Sequence, residues 1–274
     1  MSEEKVAGHY THGGLEEAIL QAVGRMGIDP DRLTATDLAS VDEFHIGGLA
    51  ATKELADQME LATGLRVLDV GSGIGGPARY IASEHQCHVT GIDLTEEFVR
   101  VARSLTRRTK LDHLVEFVQT SASELKFHAE TFDRAYMIHV GMNIADKAGV
   151  FREVRRVLKP GGIFAIFDIL RSGTGEMAYP VPWASTEETS FVADAESYRE
   201  ALEKAGFHVD RERGRRTQAI EFTERAIASS ARSGQPALSL HLLMGDLGSV
   251  MIKNVLTMMK QGLLEPVELC ARAV

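Results

Sequence analysis

Glycines and acidic residues gather at one point of the chain, in a pattern that could bind a ligand carrying hydroxyl groups. A turn containing Gly71, Gly73 and Gly76 follows a short apolar segment. Glycine lets the backbone turn tightly and approach a ligand closely, which is typical of nucleotide and nucleoside sites. Asp93 ends the next apolar segment. A carboxylate placed there can accept both hydroxyls of a ribose, so the pattern predicts nucleoside recognition.

The spacing of these glycines also matches G-x-G-x-x-G, which admits a nicotinamide or flavin cofactor. Asp69 precedes the turn. A pyrophosphate site has no use for this negative charge, whereas a cationic ligand does. The sulfonium of S-adenosylmethionine is positive, and an acid at this strand end can orient the glycine turn near its amino acid portion. The sequence therefore favours this methyl donor, with a nicotinamide-dependent oxidoreductase and a non-catalytic nucleoside sensor as alternatives.

The elements that must position these residues alternate between apolar strands and helical patterns, which indicates a parallel sheet. We predict an α/β fold with a doubly wound, seven-stranded sheet whose last strand is antiparallel. The predicted strands are 66–70, 88–93, 115–119, 134–138, 163–169, 207–212 and 267–273. The predicted helices between them are 77–85, 96–106, 147–158 and 195–205.

Two helical regions lie outside this alternation. Residues 1–60 are expected to form an N-terminal helical cap, with predicted helices at 13–26, 31–41 and 49–60. Residues 61–274 are expected to form the S-adenosylmethionine-binding domain. A helical lid at about 218–263 precedes its last strand, and we expect two helices there because the segment is too long for a simple hairpin.

Composition narrows the class of protein. The 274 residues carry a formal net charge of -9, which argues against a nucleic-acid partner. Only two cysteines are present, Cys87 and Cys270, so a reducing compartment is expected. The chain starts without an apolar signal core, and the apolar stretch 163–170 is short and interrupted by Asp168, so we expect no membrane insertion. We predict a cytoplasmic protein with a small-molecule partner and leave its oligomeric state open.

Several separate motifs resemble those of class I S-adenosylmethionine-dependent methyltransferases, and the resemblance runs from about residue 42 to 273. They are VLDVGSGIGG at 67–76, GIDL at 91–94, FD at 132–133 and RVLKPGG at 156–162. Two further segments resemble the small-molecule branch that holds sarcosine/dimethylglycine, phosphoethanolamine and ubiquinone-type methyltransferases. These segments are FHIGGLAAT at 44–52 and GGPARY at 75–80.

The resemblance implies a set of cofactor-binding residues. It assigns the methionine part of the cofactor to Asp69, Gly71 and Gly73, the ribose to Asp93, and the surroundings of the adenine to Leu94, Ser121 and Ala122. The family usually has an acidic residue where Ser121 stands, and this residue contacts the adenine amine. Whether Ser121 makes that contact is left undecided by the sequence.

The resemblance also places His139 at the position that faces the donor methyl group, with Asn143 one helical turn further on. A nucleophile that arrives protonated must lose its proton, and a histidine there is the natural acceptor. His139 is therefore the catalytic candidate and a further cofactor contact, although it could serve only for packing or hydrogen bonding. The resemblance places His45 beside the cofactor pocket, with a helix-entry role as the alternative.

Two aromatic residues are candidates for the substrate side. Tyr10 lies in the N-terminal segment, which folds over the site in such enzymes, and it could bond a substrate or staple the cover. Trp183, the only tryptophan, could form a substrate wall or anchor an irregular loop. The sequence HQCH at 85–88 is interpreted as a surface turn, so no metal site is expected.

The sequence thus predicts an enzyme that transfers a methyl group from S-adenosylmethionine to a small molecule. The branch resemblance favours an amine nitrogen, glycine-derived or similar, as the acceptor. Oxygen or carbon methylation of an aromatic, isoprenoid or natural-product metabolite is the alternative within the same class.

Overall fold

The computed structural model describes residues 2–11, 13–234 and 236–274. Its strands are β1 (Arg66–Val70), β2 (His88–Asp93), β3 (Val115–Gln119), β4 (Phe132–Ile138), β5 (Leu158–Arg171), β6 (Phe207–Gly214) and β7 (Leu264–Ala273). They form one seven-stranded sheet in the order β3-β2-β1-β4-β5-β7-β6. Strand β7 runs antiparallel to both of its neighbours, and the other neighbouring strands are parallel. The predicted fold is confirmed, with β5 longer than expected.

Apolar side chains alternate between the two faces of this sheet. Leu68 and Phe164 belong to one buried cluster, whereas Val67 and Ala165 belong to another. Neighbouring residues of a strand point to opposite faces, so both faces are covered by helices, as a parallel sheet requires. The helices that follow β1 are α5 (Gly76–His85), α6 (Glu96–Arg108), α7 (Lys147–Val157), α8 (Ala195–Lys204), α9 (Arg216–Ser233), α10 (His241–Met244) and α11 (Gly248–Lys260).

Among the described residues, four helices precede the sheet, where three were predicted. They are α1 (Ser2–Tyr10), α2 (Leu15–Arg25), α3 (Ala35–Asp42) and α4 (Gly48–Ala56). Helix α1 was missed because its short, polar sequence carries little apolar periodicity. Val23 and Leu38 of the cap share a buried cluster with Phe98 and Leu105 of α6. The cap therefore packs directly on the sheet domain, and the boundary at residue 60 stays a prediction.

The segment at 218–263 contains the two long helices α9 and α11, with the short helix α10 between them. Within the described residues, His241–Lys260 is long and apolar enough to cross a membrane by length and composition, which the sequence analysis overlooked. The stretch is divided into α10, a 3-10 turn and α11, and Met251, Val255 and Met258 of α11 are buried against the rest of the protein.

Candidate active site

A cavity of about 430 Å³ lies where the carboxyl ends of the parallel strands meet the N-terminal cap. Its wall includes Asp93 at the end of β2, His139 just after β4, and Tyr10 of the cap. The cavity opens where chain connections leave β1 and β4 toward opposite sides of the sheet. Ligands of open α/β sheets bind at this kind of switch point, so the fold itself marks the cavity as the candidate site.

The glycine turn forms the floor of the cavity. Gly71 and Gly73 have positive φ angles of 77° and 52°, which side chains other than glycine rarely adopt. A Cβ atom at Gly71 would lie 2.4 Å from Val140, so no larger residue fits there. A Cβ atom at Gly73 would meet nothing within 4 Å, because that position faces open space. The turn thus offers backbone to a ligand that can approach closely.

Asp69 is buried, with 2% of its surface exposed, and lines the cavity. Its Oδ2 atom and the Oγ atom of Ser72 have no hydrogen-bond partner among the described residues. Burial raises the pKa of Asp69 to about 8. The neighbouring Tyr136 hydroxyl, a hydrogen-bond donor, opposes this effect in part. The unsatisfied Oδ2 atom still costs free energy unless a ligand satisfies it, and a cation would satisfy it best.

Asp93 supports the glycine turn while keeping acceptor capacity for a ligand. Its Oδ2 accepts a hydrogen bond of 2.9 Å from the Gly73 amide, and its Oδ1 accepts one of 2.8 Å from the Thr95 amide. Burial raises the pKa of Asp93, and these backbone bonds oppose that effect. Each carboxylate oxygen can accept a second bond, as a ribose diol requires. Beyond Asp93 the wall continues through Leu94, Ser121 and Ala122.

His139 faces the cavity from the loop after β4 and has a left-handed backbone, with φ of 53°. Its amide donates a 2.7 Å hydrogen bond to the carbonyl of Phe167, which fixes that conformation. The ring lies 5.0 Å from the Phe167 ring and 5.8 Å from the His45 ring, between centroids. Its Nε2 has no partner among the described residues. Burial, followed by the nearby His45, lowers the pKa of His139 well below its usual value.

Comparison with known proteins agrees with this geometry. Residues 68–166 match the family described as a methyltransferase domain. The sterol 24-C-methyltransferase of Aspergillus fumigatus is 38% identical over 116 residues, which are 42% of this chain and 31% of that protein. The phosphoethanolamine N-methyltransferase 1 of Triticum aestivum is 33% identical over 195 residues, which are 70% of this chain and 38% of that protein. Residues 68–166 are therefore similar to a methyltransferase domain, and the fold of the whole chain is that of class I S-adenosylmethionine-dependent methyltransferases.

The fold comparison extends over the whole chain. The structure of geranyl diphosphate C-methyltransferase from Streptomyces coelicolor A3(2) aligns with 100% of this chain and 98% of its own, with a TM-score of 0.73 and 16% identity. At this identity the likeness concerns the fold alone. The chain spans between 30% and 50% of the length of the curated relatives it matches, and those relatives differ in their acceptors.

The cavity fits the chemistry of S-adenosylmethionine, the methyl donor that the sequence motifs imply. The unsatisfied Oδ2 atom of Asp69 suits the cationic methionine part, and the open space at Gly73 lets that part approach the backbone. Asp93 has the acceptor capacity that the ribose needs. The predicted contacts at Asp69, Gly71, Gly73, Asp93, Leu94, Ser121, Ala122 and His139 all lie on the cavity wall. Their roles in binding stay predictions.

Beside His139 in the methyltransferase domain lies a buried polar cluster that includes His45. Thr52 Oγ1 donates a 2.6 Å hydrogen bond to Glu43, and His45 Nε2 lies 3.2 Å from the same hydroxyl and 3.1 Å from the carbonyl of Gly48. Burial lowers the pKa of His45 to about 4 and raises that of Glu43 to about 8. At neutral pH both groups are therefore uncharged. His45 combines the pocket position and the helix-entry role that the sequence left as alternatives.

Tyr10 and Asn143 meet across the cavity, where Tyr10 donates a 2.9 Å hydrogen bond to Asn143 Oδ1. Asn143 Nδ2 in turn donates to the carbonyl of Trp183 at 2.7 Å. These bonds fit the role of Tyr10 as a staple for the cover. Trp183 does not line the cavity: it is 2% exposed, and its indole donates a 3.0 Å bond to Ser190. These contacts fit the alternative reading of Trp183 as a loop anchor.

Sequence reasoning missed several polar residues of the site, among them Glu3 on the cavity wall and Glu43 and Thr52 in the polar cluster beside it. Glu3 lies on the cavity wall although it belongs to the helix that was not predicted. Glu43 directly precedes the FHIGG segment, and Thr52 ends the same motif. Their position next to or within this motif could have indicated Glu43 and Thr52 as site residues. No motif near Glu3 indicates a role for that residue.

Proposed function

We propose that this protein transfers a methyl group from S-adenosylmethionine to a small molecule without a phosphate group, with an amine nitrogen as the favoured acceptor. One observation carries the proposal about the acceptor. The cavity wall holds five carboxyl groups and, within the described residues, no lysine or arginine. The carboxyl groups belong to Glu3, Asp42, Asp69, Asp93 and Asp146.

This charge pattern separates acceptors by class. A phosphate or diphosphate ester would enter a site without a cationic side chain to bind it, which electrostatics disfavours. An amine is favoured over such an anion because its protonated form needs no cationic partner, and Asp146, a carboxyl group of the wall that is not assigned to the cofactor, attracts that form. The phosphate-bearing compounds named for the wheat and Streptomyces proteins thus fit this chain less well than their phosphate-free counterparts.

The chemistry asks little of the protein beyond binding and alignment. When bound, S-adenosylmethionine supplies a methyl group that its sulfonium already activates for displacement. The chain holds the acceptor in line and excludes water beneath the cap. His139 has a pKa far below its usual value and is therefore neutral. Its Nε2 can accept a hydrogen bond that the amine nitrogen of the methyl acceptor donates. We assign to His139 the orientation of that nitrogen in its uncharged form, because burial makes His139 a weak proton acceptor and the amine therefore loses its proton to water before it is methylated.

A second candidate is oxygen or carbon methylation of an apolar acceptor. The wall around His139 favours it, because Phe44, Ile138, Val140 and Ile144 present apolar surface. The similarity to a sterol 24-C-methyltransferase supports this candidate as well. Two neutral histidines would suit an uncharged acceptor as readily as an amine.

Calorimetric titration with S-adenosylmethionine, S-adenosylhomocysteine and NAD tests the donor first. We expect both S-adenosyl ligands to bind and NAD not to bind. Binding of NAD alone would overturn the proposal in favour of an oxidoreductase. Binding of both S-adenosyl ligands without turnover on any acceptor would favour the nucleoside sensor.

Matched acceptors then test the substrate class. Ethanolamine against phosphoethanolamine, and geraniol against geranyl diphosphate, differ only in the phosphate group; sarcosine and a phenol complete the panel. We expect turnover of a phosphate-free amine. Turnover of a phosphate ester alone would contradict the charge argument, and turnover of geraniol or the phenol alone would establish the second candidate.

We also propose a cytoplasmic location, which the two free cysteines support.

A further inference from the structure

Glu3 of helix α1 lies at the end of the cavity that the sequence assigns to adenine. Ser121 Oγ donates a 2.6 Å hydrogen bond to Glu3 Oε1, and Ser123 Oγ lies 3.4 Å from the same atom. The two serine hydroxyls are 2.7 Å apart. All three residues line the cavity, although Glu3 is separated from Ser121 by most of the methyltransferase motifs. The serine pair thus orients a carboxylate that comes from the cap.

The chemistry of this position calls for a hydrogen-bond acceptor. The exocyclic amine of adenine donates hydrogen bonds, and a carboxylate is the strongest acceptor among side chains. Position 121 is a serine, so the loop after β3 supplies no carboxylate there. In the described part of the chain, the hydrogen bonds to Glu3 end on Oε1. Its Oε2 is therefore available to another donor.

We propose that Glu3 is the residue that recognises the adenine amine of the cofactor, in place of an acid at position 121. The inference rests on the proposed function, because it presumes that S-adenosylmethionine occupies this cavity. Recognition of the base then depends on a helix of the cover and not on the sheet.

The contacts of α1 explain how Glu3 is held there. Lys5 forms a 2.7 Å ion pair with Glu188, His9 Nε2 lies 3.1 Å from the carbonyl of Pro182, and Tyr10 bonds to Asn143. These partners belong to the segments after β4 and β5 and not to the serine pair after β3, so the helix docks through its own contacts and carries Glu3 with it. Binding of the adenine and docking of the cover should consequently stabilise each other, as linkage requires.

The test compares two nucleosides that differ at the amine. S-inosylhomocysteine carries a carbonyl where S-adenosylhomocysteine carries the amine, so it offers an acceptor to Glu3 instead of a donor. We expect the wild type to bind the adenosyl compound at least about tenfold more tightly, the effect of one charge-assisted hydrogen bond. In Glu3→Ala this preference should fall to within about threefold. The matched control is Glu196→Gln, which also removes a first-turn acid of a helix but lies on α8, and it should keep the wild-type preference.

A rescue variant separates recognition from docking of the helix. Ser121→Asp added to Glu3→Ala restores a carboxylate beside the adenine without restoring the side chain on α1, and the preference for the adenosyl compound should return. Equal losses of affinity for both nucleosides in Glu3→Ala would show that Glu3 only docks the helix and would overturn the assignment. An unchanged preference in Glu3→Ala would overturn it too. Failure of the wild type to bind S-adenosylhomocysteine would instead refute the proposed function itself.

Discussion

Asp69 is the residue whose charge state decides how well the cavity receives a cation. Its folded-state pKa of about 8 lies above the ordinary value of 3.8, so the folded, cofactor-free protein binds a proton that the unfolded chain releases between these values. Stability of the cofactor-free protein therefore falls as the pH rises from about 4 to 8, since ionisation is disfavoured inside the fold.

Asp69→Asn should remove this dependence, because an amide does not ionise. Asp168, whose pKa burial raises to about 6, remains in both proteins and shifts both curves alike. Burial raises the pKa of Glu43 to about 8 with a smaller contribution from the Asp69 charge, so the variant also loses a small part of the Glu43 dependence, in the same direction. We expect the melting temperature of the variant to exceed that of the wild type by a margin that grows from pH 5 to pH 8. S-adenosylmethionine affinity should fall by about tenfold to a hundredfold. A constant difference in melting temperature between the two proteins across this pH range would argue against the raised pKa of Asp69.

Asp93 and His139 should divide binding from turnover. Asp93→Ala removes the acceptor for two backbone amides and for the ribose, so donor affinity should fall by roughly a hundredfold. His139→Ala should lower kcat more than donor affinity, because His139 contacts the acceptor in the proposed arrangement. Calorimetry for donor binding and steady-state kinetics for turnover check the division. Equal losses of donor affinity in both variants would reject it.

At the scale of elements, helix α1 closes the cavity through Tyr10. Tyr10→Phe removes the hydroxyl that bonds to Asn143 but keeps the ring contacts with Phe44 and Phe98, so the helix should undock more often without unfolding. We expect faster hydrogen exchange in α1 and a severalfold higher KM for the donor. Tyr80→Phe removes a hydroxyl outside the cavity and serves as the control. Unchanged exchange in α1 would mean that the ring contacts alone hold the helix.

The elements also show how far sequence reasoning reaches. The strands and their helices were predicted because apolar periodicity is a local signal. Asp69 was predicted as a site residue because it precedes the glycine turn, and Asp93 because it ends the next strand. Helix α1 was not predicted, since its nine residues have no strong apolar stripe and its position comes from contacts with Pro182, Glu188 and Asn143. Glu3 contacts Ser121, and His45 lies beside His139, only in the folded protein. No local sequence pattern predicts such tertiary contacts.

At the scale of the whole molecule, one buried arginine joins the cap to the methyltransferase domain. Arg79 is fully buried and donates to Asp42 Oδ2 at 2.7 Å, to the carbonyl of Ile74 at 2.8 Å, and to Thr106 Oγ1 at 3.0 Å. Asp42 belongs to α3 of the cap, Ile74 to the glycine turn and Thr106 to α6. The guanidinium thereby bonds to three parts of the chain that the sequence assigns to different regions.

Because the hydrogen bonds of Arg79 connect the cap to the sheet domain, we expect the cap and the sheet to unfold in one transition. Asp42→Asn leaves the Arg79 charge buried and uncompensated, which should lower the free energy of unfolding by about 3 kcal/mol. Glu200→Gln, which breaks the exposed Lys204–Glu200 pair on α8, is the control and should change stability little. Trp183 fluorescence and far-ultraviolet circular dichroism follow denaturant unfolding, with coincident transitions expected in the wild type and both variants. The contradicting result would be seen in Asp42→Asn: circular dichroism would change at a lower denaturant concentration than in the wild type, while the Trp183 fluorescence transition stayed at the wild-type concentration. The cap would then unfold independently, and Arg79 would not couple it to the donor site.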